Sequence, residues 1–246
     1  MYIYNVKRQE SDTRDLKLQL HTTALSLPRG IDLRPDCPPV FDQGQLGSCT
    51  ANVGVAARMM LSDISAMLSR LVLYYKERVI EGTEADDAGA TVRSICKALQ
   101  RYGVCREALW PYHVRKFNLP PPPDADANAV QYRIASYRSL GSEPAELVAQ
   151  ARRFLAMKRQ PILAGVSVYE SFESAAARKT GVIPLPDPGK EAYLGGHALL
   201  IVGYDDAQQQ FIVRNSWGAD WGDRGYGYLP YRYALESFAF DFWVLQ

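Results

Sequence analysis

Gly195-Gly196-His197-Ala198-Leu199-Leu200-Ile201-Val202-Gly203-Tyr204, followed after the polar stretch 205–210 by Phe211-Ile212-Val213-Arg214-Asn215, reads as a β-hairpin. Both apolar runs are strand-sized, and six polar or small residues between them suit a turn. Folding the two runs together brings His197, at the start of one strand, near Asn215, at the end of the other. An amide oxygen can then accept a hydrogen bond from one imidazole nitrogen and leave the second nitrogen free. Each residue also has a plainer reading: a satisfied core histidine, and a strand-end turn asparagine. The two glycines before His197 give close access to its ring.

Outward from the hairpin, the second half of the chain continues in short β-type runs at 162–168, 225–229 and 240–245, with one helical stretch at 143–157. The first half has a different period. Val53, Ala57, Met60, Leu61, Ile64, Met67, Leu68 and Leu71 fall at intervals of three and four, which predicts one long helix from Cys49 to about Leu71. A second helix is expected from Thr91 to Tyr102, stopping at Gly103. Residues 12–20 could form a short helix. Asn118-Leu119-Pro120-Pro121-Pro122-Pro123 reads as a stiff, extended connector. Helices segregated from strands in this way predict an α+β fold of two lobes.

Cys49 ends the stretch Gln43-Gly44-Gln45-Leu46-Gly47-Ser48-Cys49 and opens the long helix. Unpaired backbone N–H groups and the helix dipole favour negative charge at such a position. A thiol there is pushed towards thiolate, the form that attacks a carbonyl carbon. The plainer reading is a small buried cysteine. Of the three histidines, His21 lies in the N-terminal segment and His113 follows Trp110-Pro111-Tyr112 in a loop, so His197 is the partner of choice.

The bulk composition is compatible with this reading. In 246 residues, 28 basic and 27 acidic side chains leave a net charge of +1, which gives no electrostatic case for nucleic acid or an anionic membrane. Four cysteines are too few for a disulfide scaffold. The first ten residues hold no apolar run of signal-peptide length, and no apolar run is long enough to span a membrane; the compartment is not read from the chain. Scattered histidines and cysteines make no ligand set with zinc spacing, so no metal and no cofactor is implied.

Asn215-Ser216-Trp217-Gly218-Ala219-Asp220-Trp221-Gly222-Asp223-Arg224-Gly225-Tyr226, taken with Gln43 to Cys49 and the Gly-His-Ala strand, resembles the papain-like cysteine peptidases. His197 follows Cys49 by 148 residues, within the spacing of that family, and Asn215 by 166, somewhat past it. The resemblance runs from about residue 31 to 246. It implies a mainly helical N-terminal lobe (about 31–118), a C-terminal lobe resembling an antiparallel β-barrel (about 124–246) and an active-site cleft between them. It implies a cysteine endopeptidase with Cys49 as nucleophile, His197 as general acid/base, Asn215 orienting the histidine and Gln43 donating to the oxyanion. Trp217 would cover the His197–Asn215 hydrogen bond, while Trp221 could be core packing. Gly89, with Ala90, falls where the family binds substrate backbone, Gly196 flanks the histidine, and Val92 and Ala198 would line an apolar pocket for a substrate side chain.

Partners implied are peptide or protein substrates and protein inhibitors, with a monomer expected. Residues 1–30 stand as an N-terminal extension that inhibits, packs elsewhere or is removed. Two departures stand out: Leu46 replaces a cysteine that the family ties into a disulfide, and Thr50 replaces the bulky aromatic that often follows the nucleophile. Both resemble bacterial or atypical members. The rival readings are a catalytically silent papain-fold module that binds peptides, expected to lack Cys, His or Gln, and a related amide acyl transfer.

Overall fold

The computed structural model describes residues 2–18, 20, 26–61 and 64–246. In chain order the elements are β1 (Gly30–Asp32), α1 (Cys49–Leu61), α2 (Arg70–Glu81), α3 (Val92–Arg101), α4 (Pro123–Ala129), β2 (Tyr137–Ser139), α5 (Pro144–Lys158), β3 (Ile162–Tyr169), α6 (Ala175–Thr180), β4 (Tyr193–Asp205), β5 (Gln210–Arg214), β6 (Tyr226–Pro230), α7 (Arg232–Leu235) and β7 (Ala239–Leu245). The strands form one antiparallel sheet in the order β2-β7-β3-β4-β5-β6, with β1 added to the far end of β4. The fold is the expected α+β arrangement, with helices α1 to α4 first and the sheet second.

α1 is the joint between the two halves. It is rich in alanine, free of proline and buried from Cys49 to Met59. Helices α2 and α3 pack on one side and β4 on the other, so one continuous apolar core runs from Val55 and Ile95 through Ala198 to Trp243. The β4–β5 hairpin registers Leu200 with Arg214 and Tyr204 with Phe211. That register sets His197 and Asn215 on adjacent strands at the end nearest α1.

Three expectations need correction. The single helix from Cys49 to about Leu71 is two helices. α1 stops at Leu61, and α2 starts after Ser69, whose hydroxyl accepts the Val72 N–H at 3.2 Å as an N-cap. The apolar periodicity ran on because Ile64 and Met67, between the helices, pack on the same core. Residues 12–20 are not helical where described: the Asp12 carboxylate accepts the Arg14 N–H at 3.0 Å, a local turn that competes with helix, and Lys17 bridges to Ser139 beside β2. Pro122 is extended as expected, but Pro123 already opens α4, as proline at a first helical position can.

All four thiols, Cys37, Cys49, Cys96 and Cys105, are free. Among the described residues no helix is long and apolar enough to cross a membrane. His21 lies outside the described residues.

Candidate active site

Cys49 is the first residue of α1, at the end of the turn that starts at Gln43. The turn is pinned on several sides. The Gln43 N–H donates to the Ser216 carbonyl at 2.9 Å, and the Gly47 N–H donates to the Asp87 carboxylate at 3.0 Å. The Tyr112 hydroxyl donates to the Gln43 carbonyl at 2.9 Å and lies 2.5 Å from the Ser48 hydroxyl. Tyr112 and Asp87 were not singled out from the sequence, because nothing in a loop Trp-Pro-Tyr or in Ala-Asp-Asp-Ala marks a side chain that reaches 40 or more residues back.

The imidazole of His197 is held on β4. Its Nε2 is 2.8 Å from Asn215 Oδ1, and that same oxygen accepts the Ser216 N–H at 2.8 Å. An amide oxygen only accepts, so Nε2 carries the proton and Nδ1 the lone pair. Nδ1 is buried and has no hydrogen-bond partner. Trp217 lies against the imidazole, 4.8 Å between ring centroids at 31°, and is in turn walled by Trp221 and Phe172.

The Gln43 side chain is fully buried. Its Oε1 accepts the Ser216 hydroxyl at 2.7 Å and its Nε2 donates to the Leu46 carbonyl at 2.9 Å. A primary amide has two N–H bonds, so one is not used in these contacts. The N–H groups of Ala198, Thr50 and Cys49 itself act on the sulfur, which places Cys49 against the strand that carries His197.

Burial dominates the titration of both Cys49 and His197. It pushes the Cys49 thiol up to about 12, against the opposing pull of the Ala198 N–H. It pushes the His197 imidazole down to about 4, against the Asn215 hydrogen bond. At neutral pH this buried pair is therefore thiol and neutral imidazole, because desolvation penalises each charged form.

The N-terminal segment covers His197 and Trp217. Tyr2 stacks on Trp217 with centroids 4.3 Å apart at 8°, and Tyr4 meets the His197 ring edge-on at 6.0 Å. Asn5 Nδ2 donates to the Asp87 carbonyl at 2.8 Å, and the Val6 N–H donates to the Gly196 carbonyl at 3.1 Å. The segment passes through a gap walled by glycines. A Cβ at Gly47 or Gly89 would collide with the Asn5 side chain, and one at Gly195 or Gly196 with the Tyr4 or Val6 carbonyl. Beyond the gap, Arg8 lies over the Phe240 ring at 4.6 Å, and the Gln9 N–H donates to Asp241 at 2.8 Å.

Of the residues expected to bind substrate, Gly89 and Gly196 meet this segment. Gly89 has φ +66 and donates its N–H to the Tyr74 hydroxyl at 3.2 Å. Gly196 accepts the strap's N–H. Ala90, Val92 and Ala198 are fully buried, and Val92 and Ala198 share an apolar cluster with Val6 of the strap.

The model of the papain family cysteine proteases matches residues 27–235. The chain belongs to the papain family of cysteine proteases. A peptidase C1-like protein of Acanthamoeba polyphaga mimivirus is 37% identical over 229 residues, 89% of this chain and 73% of the viral one. The crystal structure of xylellain, a cysteine protease from Xylella fastidiosa, superposes with a TM-score of 0.88 at 34% identity, covering 99% of this chain and 95% of that one. A digestive procathepsin L 3 of Tenebrio molitor larval midgut shares the fold, with a TM-score of 0.72 at 20% identity over 99% of this chain and 76% of that one. This peptidase is thus a cysteine endopeptidase acting on peptide substrates, and the silent-module and acyl-transferase readings are not favoured.

Proposed function

We propose that the peptidase hydrolyses peptide bonds with Cys49 as nucleophile, His197 as general acid/base, Asn215 as the residue orienting His197, and Gln43 with the Cys49 N–H as oxyanion donors. The observation that carries this is the 2.8 Å His197–Asn215 hydrogen bond. It fixes the tautomer and leaves Nδ1, buried and unpartnered, as the one ring atom able to take a proton.

The Cys49 proton moves to His197 Nδ1, and the thiolate forms a bond to the substrate carbonyl carbon. Negative charge on the carbonyl oxygen is met by the free N–H of Gln43 and by the Cys49 amide. His197 returns its proton to the leaving amine as the C–N bond breaks, giving a thioester. It then takes a proton from water, which attacks the thioester and releases Cys49. Gly89 and Gly196 offer backbone groups to the substrate chain, Ala90, Val92 and Ala198 an apolar wall for one of its side chains, and Trp217 a ring face beside the histidine.

The same reading makes residues 1–30 a regulatory extension. The segment 2–6 fills the gap in which substrate backbone would lie, so a substrate or an inhibitor protein competes with it. Pro28 already accepts the Tyr204 hydroxyl at 2.8 Å, so the separable part of the extension ends before it.

Gln43 gives the test of the oxyanion assignment. Gln43→Ala is expected to lower kcat by about 10²–10³-fold with KM little changed, as for a donor used only in the transition state. A loss confined to KM would assign Gln43 to ground-state binding instead.

A further inference from the structure

Thr50 stands directly after the nucleophile, where a bulky aromatic often stands in the family, and the space behind it holds an acid. Glu77 of α2 is fully buried beneath the first turn of α1. Its Oε1 accepts the Thr50 hydroxyl at 2.5 Å, and its Oε2 has no partner. A carboxylate buried with one hydrogen bond is costly, so the group is held neutral, and burial pushes its carboxyl well above the usual range, Glu81 adding to the rise while Thr50 and Arg78 oppose it.

The one counter-charge that acts on Glu77, Arg78, is engaged elsewhere. On α2 itself, the Arg78 guanidinium is spent on the carbonyls of Tyr74, Glu84, Asp86 and Phe117, and Glu81 accepts the Thr91 N–H. From α1 come only Cys49 and Thr50. From α3, Arg93 turns to Asp15, and Cys96, Lys97 and Arg101 are not among the groups that act on Glu77.

We propose that Glu77 is a positioning residue for the nucleophile, a carboxyl group beneath the N-terminal turn of α1 whose protonation state sets how much thiolate Cys49 carries. While neutral, Glu77 leaves intact the electropositive helix end on which a Cys49 thiolate depends. When its proton is lost to solvent, a negative charge sits behind that helix end and opposes a second one on the sulfur. Glu77 acts on Cys49 in this sense, raising the thiol. The enzyme thereby carries an upper pH limit in a residue that touches no substrate.

This rests on Cys49 as nucleophile, and the test separates the two ideas. In the full chain, alkylation of Cys49 by iodoacetamide is followed from pH 5 to 10 by mass spectrometry of the Cys49 peptide, for the parent and Glu77→Gln. The strap must open in both, so the ratio of rates cancels opening. The ratio is expected to be near one at low pH and to climb to about tenfold as the parent Glu77 ionises, one unit of thiol shift being a factor of ten. A ratio that stays constant across the range overturns the proposal.

Thr50→Val provides the second variant if Glu77→Gln does not fold. It removes the carboxyl's one hydrogen bond, so the break in the alkylation profile should move to higher pH; a profile that superposes on the parent's overturns the proposal. Thermal unfolding gives an independent readout. A carboxyl raised in the folded state stabilises fully below its unfolded value of roughly 4.3 and loses that contribution as pH rises towards the folded value. Glu77→Gln should therefore melt higher than the parent at pH 7 and together with it near pH 4, and a gap independent of pH counts against a buried neutral acid. Undiminished peptidase activity in Cys49→Ala would instead sink the nucleophile assignment and leave the Glu77 data standing.

Discussion

Replacement of Cys49 by Ala is expected to lower kcat/KM on an unstructured peptide by about 10⁵–10⁶-fold, with the melting temperature shifted by only a few degrees. The first figure follows from the role. Removing the nucleophile of a covalent mechanism removes the whole unit, and the remaining oxyanion donors and binding groups cannot supply the acyl intermediate. The second follows from the site. Cys49 is a small buried side chain at a helix start, and truncation to Ala leaves α1, which is already alanine-rich, with its packing nearly intact. A chain that folds and binds but does not cleave separates chemistry from stability. Cleavage by Cys49→Ala at the parental rate would end the assignment.

The second large effect concerns the strap. The double substitution Tyr2→Ala and Tyr4→Ala in the full chain is expected to raise kcat/KM by roughly 5- to 150-fold, since the two tyrosine rings, at about 0.5–1.5 kcal/mol of aromatic contact each, hold segment 2–6 against Trp217 and His197. Emptying the gap also changes the chemistry. While it is covered, the thiol stands at about 12 and the imidazole at about 4, so at pH 7 both are neutral. Water in the opened cleft lowers the first and raises the second. Only neutral His197 can take the Cys49 proton, so the acid limb of activity should move to higher pH as His197 regains its proton affinity. Steady-state rates and pH profiles of the two chains check both points. Equal rates, or equal rates with and without the separable extension, would mean that the segment does not inhibit.

How far the sequence carried these conclusions differs by residue. The hairpin was legible because its pattern is local: two apolar runs and a polar turn admit one pairing, and that pairing brings His197 to Asn215. Cys49 was legible because a glycine-containing turn followed by an alanine-rich stretch marks a helix start. The break at Leu61 was not, since Ile64 and Met67 keep the apolar period while leaving the helix. The Ser69 cap was in the sequence, but a serine within an apolar period carries little weight against it.

Chain order and local patterning alone therefore determined the α+β class of fold and the candidates Cys49, His197 and Asn215, because each of these depends on residues close in sequence or on strands joined by one turn; the roles proposed for them came with the family resemblance. Only the tertiary structure decided that residues 2–6 lie in the gap, that Tyr112 and Asp87 pin the loop before Cys49, and that Glu77 stands behind Thr50. These are meetings of side chains far apart in the chain, 27 residues for Thr50 and Glu77 and many more for Tyr4 and His197. They are brought about by packing α1 between α2 and the sheet, and no local propensity encodes them.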